Sequence, residues 1–252
     1  MNILKKGNVS LPQMKSQIDL YLIDAGNSRI KLGVYKNGKI VSFSSFNNLS
    51  FLKQELEPNI PIAMSSVLNS NFNEDFKTDK NPVFWINYQV KLPFKINYLS
   101  PKTLGVDRIC NVAAISKINQ FTPRLVIDIG TCIKFDFLNA KNEYEGGSIS
   151  PGLQLRFKAL NLFTNNLPLY EASNKLSLIG NSTESAIQSG VQNGMKSEII
   201  GLILEYKAKY TGLNVFITGG DVDYFDLAQK NGIFADENLT LKGILEIYLL
   251  NV

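Results

Sequence analysis

The 252-residue chain has no histidine, which removes much of the catalytic menu. No Ser-His-Asp triad, Cys-His pair or imidazole metal cage can be built. A general base near neutral pH must then be a carboxylate or a shifted lysine, cysteine or tyrosine. Cysteine is almost as scarce. Cys110 and Cys132 are too few for a disulfide framework and have no histidine with which to share zinc, so both read as buried small hydrophobes. Long apolar runs are missing: nothing approaches the roughly 18 uninterrupted apolar residues of a membrane span. The opening MNILKKGNVSLPQMKSQ has Lys5 and Lys6 but no apolar stretch after them. No secretory signal is read, so the expected home is the cytoplasm, away from membranes. Charge of one sign is not concentrated either. The net charge is +4, and the lysines are scattered rather than interleaved with aromatics, which speaks against a nucleic-acid face and for small anionic substrates.

What is present is 44% apolar residues, enough for one large domain or two halves. Apolar runs at 19–25, 29–35 and 39–44 predict three strands, with Asn37-Gly38 as a hairpin turn. A helix near 48–57, strands at 61–67 and 82–86 and a polar connection at about 69–81 follow. The second half repeats the first. RLVIDIGTCIKFDFL (124–138) mirrors DLYLIDAGNSRIKLGV (19–34): apolar strand, Asp-x-Gly, a small hydroxyl, strand again. EYEGGSIS (143–150) is the next strand, with Gly146 and Gly147 suggesting a bulge or close backbone approach. Pro151 is expected to open a helix to about 165; a long helix at 183–210, a strand at 214–218, a helix from about 222 and a last helix at 239–250 complete the order.

One Asp-x-Gly turn is a hairpin. Two of them, each ending the first strand of a matching half, can face each other across a cleft, an arrangement suited to phosphate chemistry. Glycine-turn N–H groups form an anion-binding concavity, and Ser28 and Thr131 add donors. Asp24 and Asp128 would repel a triphosphate directly, so a cation or water belongs between. In SPKTLGVDRICNVAAISK (100–117), Val106, Ile109, Cys110 and Ala113 recur at helical spacing, so a helix starts near Gly105. Asp107 in its first turn suits the helix dipole by itself. Arg108 opposes the dipole and needs another reason, such as an anionic ligand.

Taken together, DAGNSRIK (24–31), GVDR (105–108), DIGTCIKFD (128–136), YEGGSISPGL (144–153), ALNLFTNNLP (159–168), GNSTESAIQSG (180–190) and ITGGD (217–221) resemble the type III pantothenate kinases, over nearly the whole chain from about residue 19. That family belongs to the acetate and sugar kinase, heat-shock chaperone and actin superfamily. The resemblance implies an α/β fold of two actin-like, ribonuclease H-like halves, each with a central mixed sheet, around an interdomain cleft. The halves are expected at 19–120 and 121–252, after an N-terminal extension at 1–18, of which 1–13 has no catalytic role if Met14 is the start.

The resemblance further implies transfer of the ATP γ-phosphoryl group to the primary hydroxyl of pantothenate, the first step of coenzyme A biosynthesis. Asp24, Ala25, Gly26, Asn27, Ser28, Arg29, Ile30 and Lys31 would hold the ATP phosphates, and Thr131 would contact ATP. Asp107 would be the catalytic base. Tyr98, Gly105, Val106, Asp107, Arg108 and Thr183 would bind pantothenate. Asp128 would hold a monovalent cation, potassium or ammonium, beside the magnesium that comes with ATP. A homodimer is implied, the partner subunit helping to close the pantothenate site. Cys132 and Lys134 depart from the alanine and threonine usual in the family; an ammonium at 134 that reached Asp128 could replace the ion. A kinase for another small hydroxylated acid, and a regulatory or nucleotide-sensing protein on the same fold, are the alternatives; the GVDR element with Tyr98 and Thr183 favours the enzyme.

Overall fold

The computed structural model describes residues 19–68, 74, 80–225 and 233–252. The extension expected at 1–18, most of the connection at 69–81 and, from the helix expected to start at about 222, residues 226–232 lie outside the described residues. The first sheet contains β1 (Leu20–Ala25), β2 (Ile30–Lys36), β3 (Lys39–Phe46), β4 (Ile62–Ser66) and β5 (Val83–Trp85), in the order β3-β2-β1-β4-β5. Its first three strands are antiparallel, and β4 and β5 add in parallel. The second sheet contains β6 (Lys95–Ile96), β7 (Arg124–Ile129), β8 (Cys132–Leu138), β9 (Glu143–Pro151), β10 (Asn214–Thr218) and β11 (Ile233–Ala235), in the order β11-β10-β7-β8-β9-β6. Apart from β6, it repeats the first sheet strand for strand. The duplication read from the two Asp-x-Gly segments is therefore a duplication of topology.

Strand alternation explains the layers. On β1, Leu20 and Leu22 face one core and Tyr21, Ile23 and Ala25 another; on β7, Val126 faces the first, while Leu125, Ile127 and Ile129 face a third. The shared core holds α2 (Val106–Ser116) and α5 (Leu239–Asn251), sandwiched between the sheets, whereas α1 (Leu49–Glu55) covers the outer face of the first sheet. The outer face of the second carries α3 (Leu153–Leu162) and α4 (Thr183–Lys209). The two inner helices touch closely at Gly243, where an added Cβ would lie 1.8 Å from the Cys110 carbonyl oxygen. Arg124 is fully buried and among the described residues has no carboxylate partner; its guanidinium donates to the carbonyls of Ser116 at 2.6 Å, Thr122 at 3.1 Å and Asn139 at 3.3 Å. It thereby satisfies the C-terminal end of α2, where the dipole favours a cation.

Some expectations need correction. Pro151 does not open a helix: β9 runs through it, paired with Cys132, and Gly152 caps α3, which ends at Leu162. The strand persists because the Gly152 N–H donates to the Thr131 carbonyl at 3.1 Å. The stretch from 222 begins as a 3-10 turn, Val222–Phe225. Edge strands β6 and β11, two and three residues long, were not foreseen, since so few residues show no alternation. Cys110 is buried, but Cys132 is partly exposed because it directly follows the second loop. Gly146, at φ +111°, does sit at an irregularity of the β8–β9 pairing, and a Cβ on Gly147 would lie 1.6 Å from the Phe135 carbonyl oxygen.

Candidate active site

Even-numbered residues of β1, β7 and β8 face the helical layer, and that register aims the charged groups. Asp24 and Asp128 are the penultimate residues of β1 and β7. Each is cross-strand from a lysine on the next strand: Asp24 opposite Lys31, Asp128 opposite Lys134. Residues directly opposite share a face, so both Asp-Lys pairs look toward the first turn of α2. There Asp107 Oδ1 accepts from the backbone N–H of Arg108 at 2.9 Å. A Cβ on Gly105, the N-cap, would stand 2.6 Å from Asp107 Oδ1, so a side chain there would push that carboxylate aside.

Lys134 closes the cluster. Its Nζ is 2.6 Å from Asp107 Oδ2 and 2.7 Å from Asp128 Oδ2. Burial pulls its value down, but the Asp128 and Asp107 carboxylates outweigh burial and hold it as ammonium. Asn111, one turn along α2, donates to Asp128 Oδ2 at 3.4 Å and accepts from the Thr240 hydroxyl at 2.8 Å. Among the described residues Asp24 has no such partner. Burial first, then repulsion from Asp107 and Asp128, pushes its carboxyl up to about 7 against the pull of Lys31 and Lys134. The cluster is thus short of positive charge.

Across the cleft the two hairpin tips meet: Ser28 Oγ and Thr131 Oγ1 are 2.9 Å apart. Gly26 N–H closes its own turn on the Arg29 carbonyl at 3.1 Å. Asn27, Ser28 and Arg29 are exposed, while Ala25 and Ile30 turn away into the outer core of the first sheet. Lys31 Nζ reaches the Glu237 carbonyl at 2.6 Å and so links the two sheets' loops. Beside it opens a cleft of about 540 Å³, lined among others by Arg29, Lys31, Gly219, Gly220 and Asp236. Gly219, at φ +112°, permits the close turn there; a Cβ would lie 2.1 Å from the Ile129 carbonyl oxygen.

Arg108 has its reason within the chain. Its Nε donates to Asp136 Oδ1 at 2.7 Å, the Tyr144 hydroxyl donates to the same oxygen at 2.7 Å, and the guanidinium lies 5.8 Å from the Tyr98 ring centroid. Although burial opposes the charge, Asp136 keeps the guanidinium firmly protonated. Tyr98, Gly105, Val106, Asp107 and Arg108 are therefore neighbours. Thr183 is not among them: it is the exposed first residue of α4, whose buried residues pack on the outer side of the second sheet.

Asn111, Gly219, Gly220 and Asp236 were not foreseen as site residues. The strand-to-glycine pattern in ITGGD, the same device as Asp-x-Gly, was the available signal for the glycines; Asn111 had none, being an inner-face polar residue of a helix.

Comparison with known proteins adds four findings. The family model described as type III pantothenate kinase matches residues 20–205. A Cytophaga hutchinsonii protein named type III pantothenate kinase is 39% identical over 233 residues, covering 92% of this chain and 99% of that protein. A Christiangramia forsetii protein of the same name is 38% identical over 230 residues, 88% of this chain and 95% of its own length. Among solved structures, a Campylobacter jejuni protein described as a Baf family transcriptional activator superposes with a TM-score of 0.62 at 22% identity, covering 92% of this chain and 98% of its own, which is a likeness of fold.

Proposed function

The chain belongs to the type III pantothenate kinase family, and we propose that its interdomain cleft transfers the γ-phosphoryl of ATP to the primary hydroxyl of pantothenate. The observation that carries this reading is Asp107, held at the first turn of α2, in contact with Lys134 beyond the second Asp-x-Gly turn and near enough to Asp24 of the first to repel it. The nucleoside occupies the cleft beside Gly219 and Gly220, and its phosphates run toward the hairpin tips, where backbone N–H groups, Ser28, Thr131, Arg29 and Lys31 receive them. Pantothenate approaches from the side of Tyr98, Gly105 and Val106. Its hydroxyl oxygen forms the new bond to the γ-phosphorus as the bond to the β–γ bridging oxygen breaks, ADP leaves, and the hydroxyl proton passes to Asp107. In a loose transition state that proton leaves late, so positioning and charge neutralisation carry most of the rate.

Magnesium fits this site, because the carboxylates outnumber the ammonium groups and Asp24 has no tight partner. Asp24 would hold it, through water, with the phosphates. There it would supply neutralisation of the charge on the transferring group. A potassium or ammonium ion at Asp128 fits poorly: the oxygens it would take, Asp128 Oδ2 and Asp107 Oδ2, already face Lys134.

The reading keeps the halves at 19–120 and 121–252, with β6 reaching over to the second sheet and α5 packing back on β1. It includes a second copy of the chain. Thr183 lies on the outer side of the second sheet, so it can serve an acceptor pocket only of another copy, and exposed Leu162, Phe163, Leu178 and Ile179 near α3 and α4 offer that copy an apolar surface. Two free cysteines and ATP as co-substrate accord with the cytoplasm; among the described residues no helix is long and apolar enough to cross a membrane.

The test is ADP release from ATP with and without pantothenate, with the product identified by mass. Pantothenate-dependent ADP release and a phosphorylated pantothenate are expected. Release that ignores pantothenate, or phosphorylation of a different hydroxy acid in preference, would overturn the reading.

A further inference from the structure

We propose that Lys134 is the resident cation of the phosphoryl-transfer centre: a positioning residue whose tethered ammonium locks Asp107 against Asp128, so that catalysis needs no monovalent metal or ammonium ion. The inference deepens the kinase reading and rests on it.

The two hairpins supply the first argument. Lys31 and Lys134 occupy equivalent cross-strand positions, opposite Asp24 and Asp128, yet their ammonium groups go to different places. Lys31 Nζ leaves the carboxylates for the Glu237 carbonyl at 2.6 Å, while Lys134 Nζ stays between two carboxylates at 2.6 and 2.7 Å.

The second argument is depth. The side chains of Lys134, Asp107 and Asp128 are 18%, 17% and 15% exposed, so water screens them little and the pairing is tighter than at a surface. Rigidity is the third. Thr240 holds Asn111, Asn111 holds Asp128, and Asp128 holds Lys134, so a chain of hydrogen bonds running back to α5 places the ammonium. Asp107 then receives one fixed donor on Oδ2 and the Arg108 N–H on Oδ1, which fixes the plane of the carboxylate that must meet the acceptor hydroxyl.

The experiment measures pantothenate phosphorylation by the full chain in sodium, potassium, ammonium and Tris salts at constant ionic strength, for the wild type and for Lys134→Thr and Lys134→Gln. Wild-type turnover is expected to agree within about twofold across the salts, since only general screening remains. Lys134→Thr is expected to lose about a hundredfold in sodium, the scale of one preorganised charge, and to recover at least about tenfold in potassium or ammonium. A second readout does not use turnover: potassium should raise the melting midpoint of Lys134→Thr above its value in sodium and leave that of the wild type unchanged, because an ion stabilises only a folded state that binds it. Lys134→Gln, which keeps most of the stem, stands in if the threonine variant does not unfold cooperatively.

Wild-type turnover that rises about tenfold in potassium, or a wild-type midpoint raised by potassium, overturns the inference while leaving the kinase reading intact. A wild type that phosphorylates no pantothenate in any salt overturns the kinase reading; the melting comparison then still decides where the cation is.

Discussion

Lys134 and Asp136 lie two residues apart on one face of β8, and both meet the first turn of α2, with the polarity reversed. At 134 the strand brings the cation and the helix the acid, Asp107; at 136 the strand brings the acid and the helix the cation, Arg108. They differ in depth. Arg108 and Asp136 are 5% and 0% exposed, against 18% and 17% for Lys134 and Asp107. The deeper pair is enclosed by the Tyr144 hydroxyl and the rings of Tyr98 and Tyr144, and it fastens α2 to the second sheet. The shallower one keeps some access to water, so on the kinase reading a substrate can reach its groups. That difference in exposure separates the pair that fastens α2 from the pair that the kinase reading makes its reaction centre, both built of the same kinds of group.

The largest effect expected is on the shallow pair. Asp107→Asn is nearly isosteric and removes the proton acceptor and one of the two carboxylates that hold Lys134, which keeps Asp128, so kcat should fall by about 10²–10⁴ while ATP affinity stays near wild type and the fold remains cooperative. Wild-type turnover in that variant would reduce Asp107 to a helix-dipole residue and erase the distinction between the pairs.

Asp136→Asn should do the reverse. It leaves the Arg108 charge buried without a counter-charge, so urea unfolding should show a loss of about 3–5 kcal/mol. A loss below about 1 kcal/mol would show that the deep pair holds no more tightly than a surface one.

The smallest effect belongs to Asp24, which has neither kind of partner. Its folded-state value, about 7, lies above the ordinary 3.8. Between those values the unfolded chain has lost a proton that the folded chain keeps. The contribution to stability is therefore complete below pH 4 and lost as the pH rises toward 7. In metal-free buffer, Asp24→Asn should flatten the fall in urea midpoint between pH 5 and pH 7. An unchanged slope would place that titration elsewhere.

Much of the architecture was written locally. Strand alternation, the Asn37-Gly38 turn, the Asp-x-Gly ends and the helical spacing from Val106 to Ala113 depend on residues within a few positions of each other, where turn chemistry and apolar period act directly. The repeat of that pattern was enough to announce two matching sheets and to put Asp24 and Asp128 at equivalent ends. Lys134 was visible as a departure, but its destination was not: reaching Asp107 depends on α2 crossing β8. The partner of Arg108 sits 28 residues further on, and Thr183 could be assigned to the far side of the second sheet only once α4 had packed there. β6 joins the second sheet as a two-residue edge whose hydrogen bonds to β9 no local pattern encodes. The sequence by itself determined the elements and which strand ends carry acids, because backbone sterics and apolar periodicity are short-range. The tertiary structure alone decided which charges meet and how deeply each pair is buried, because both sheets close on one helical layer and the strength of an ion pair depends on the water left around it.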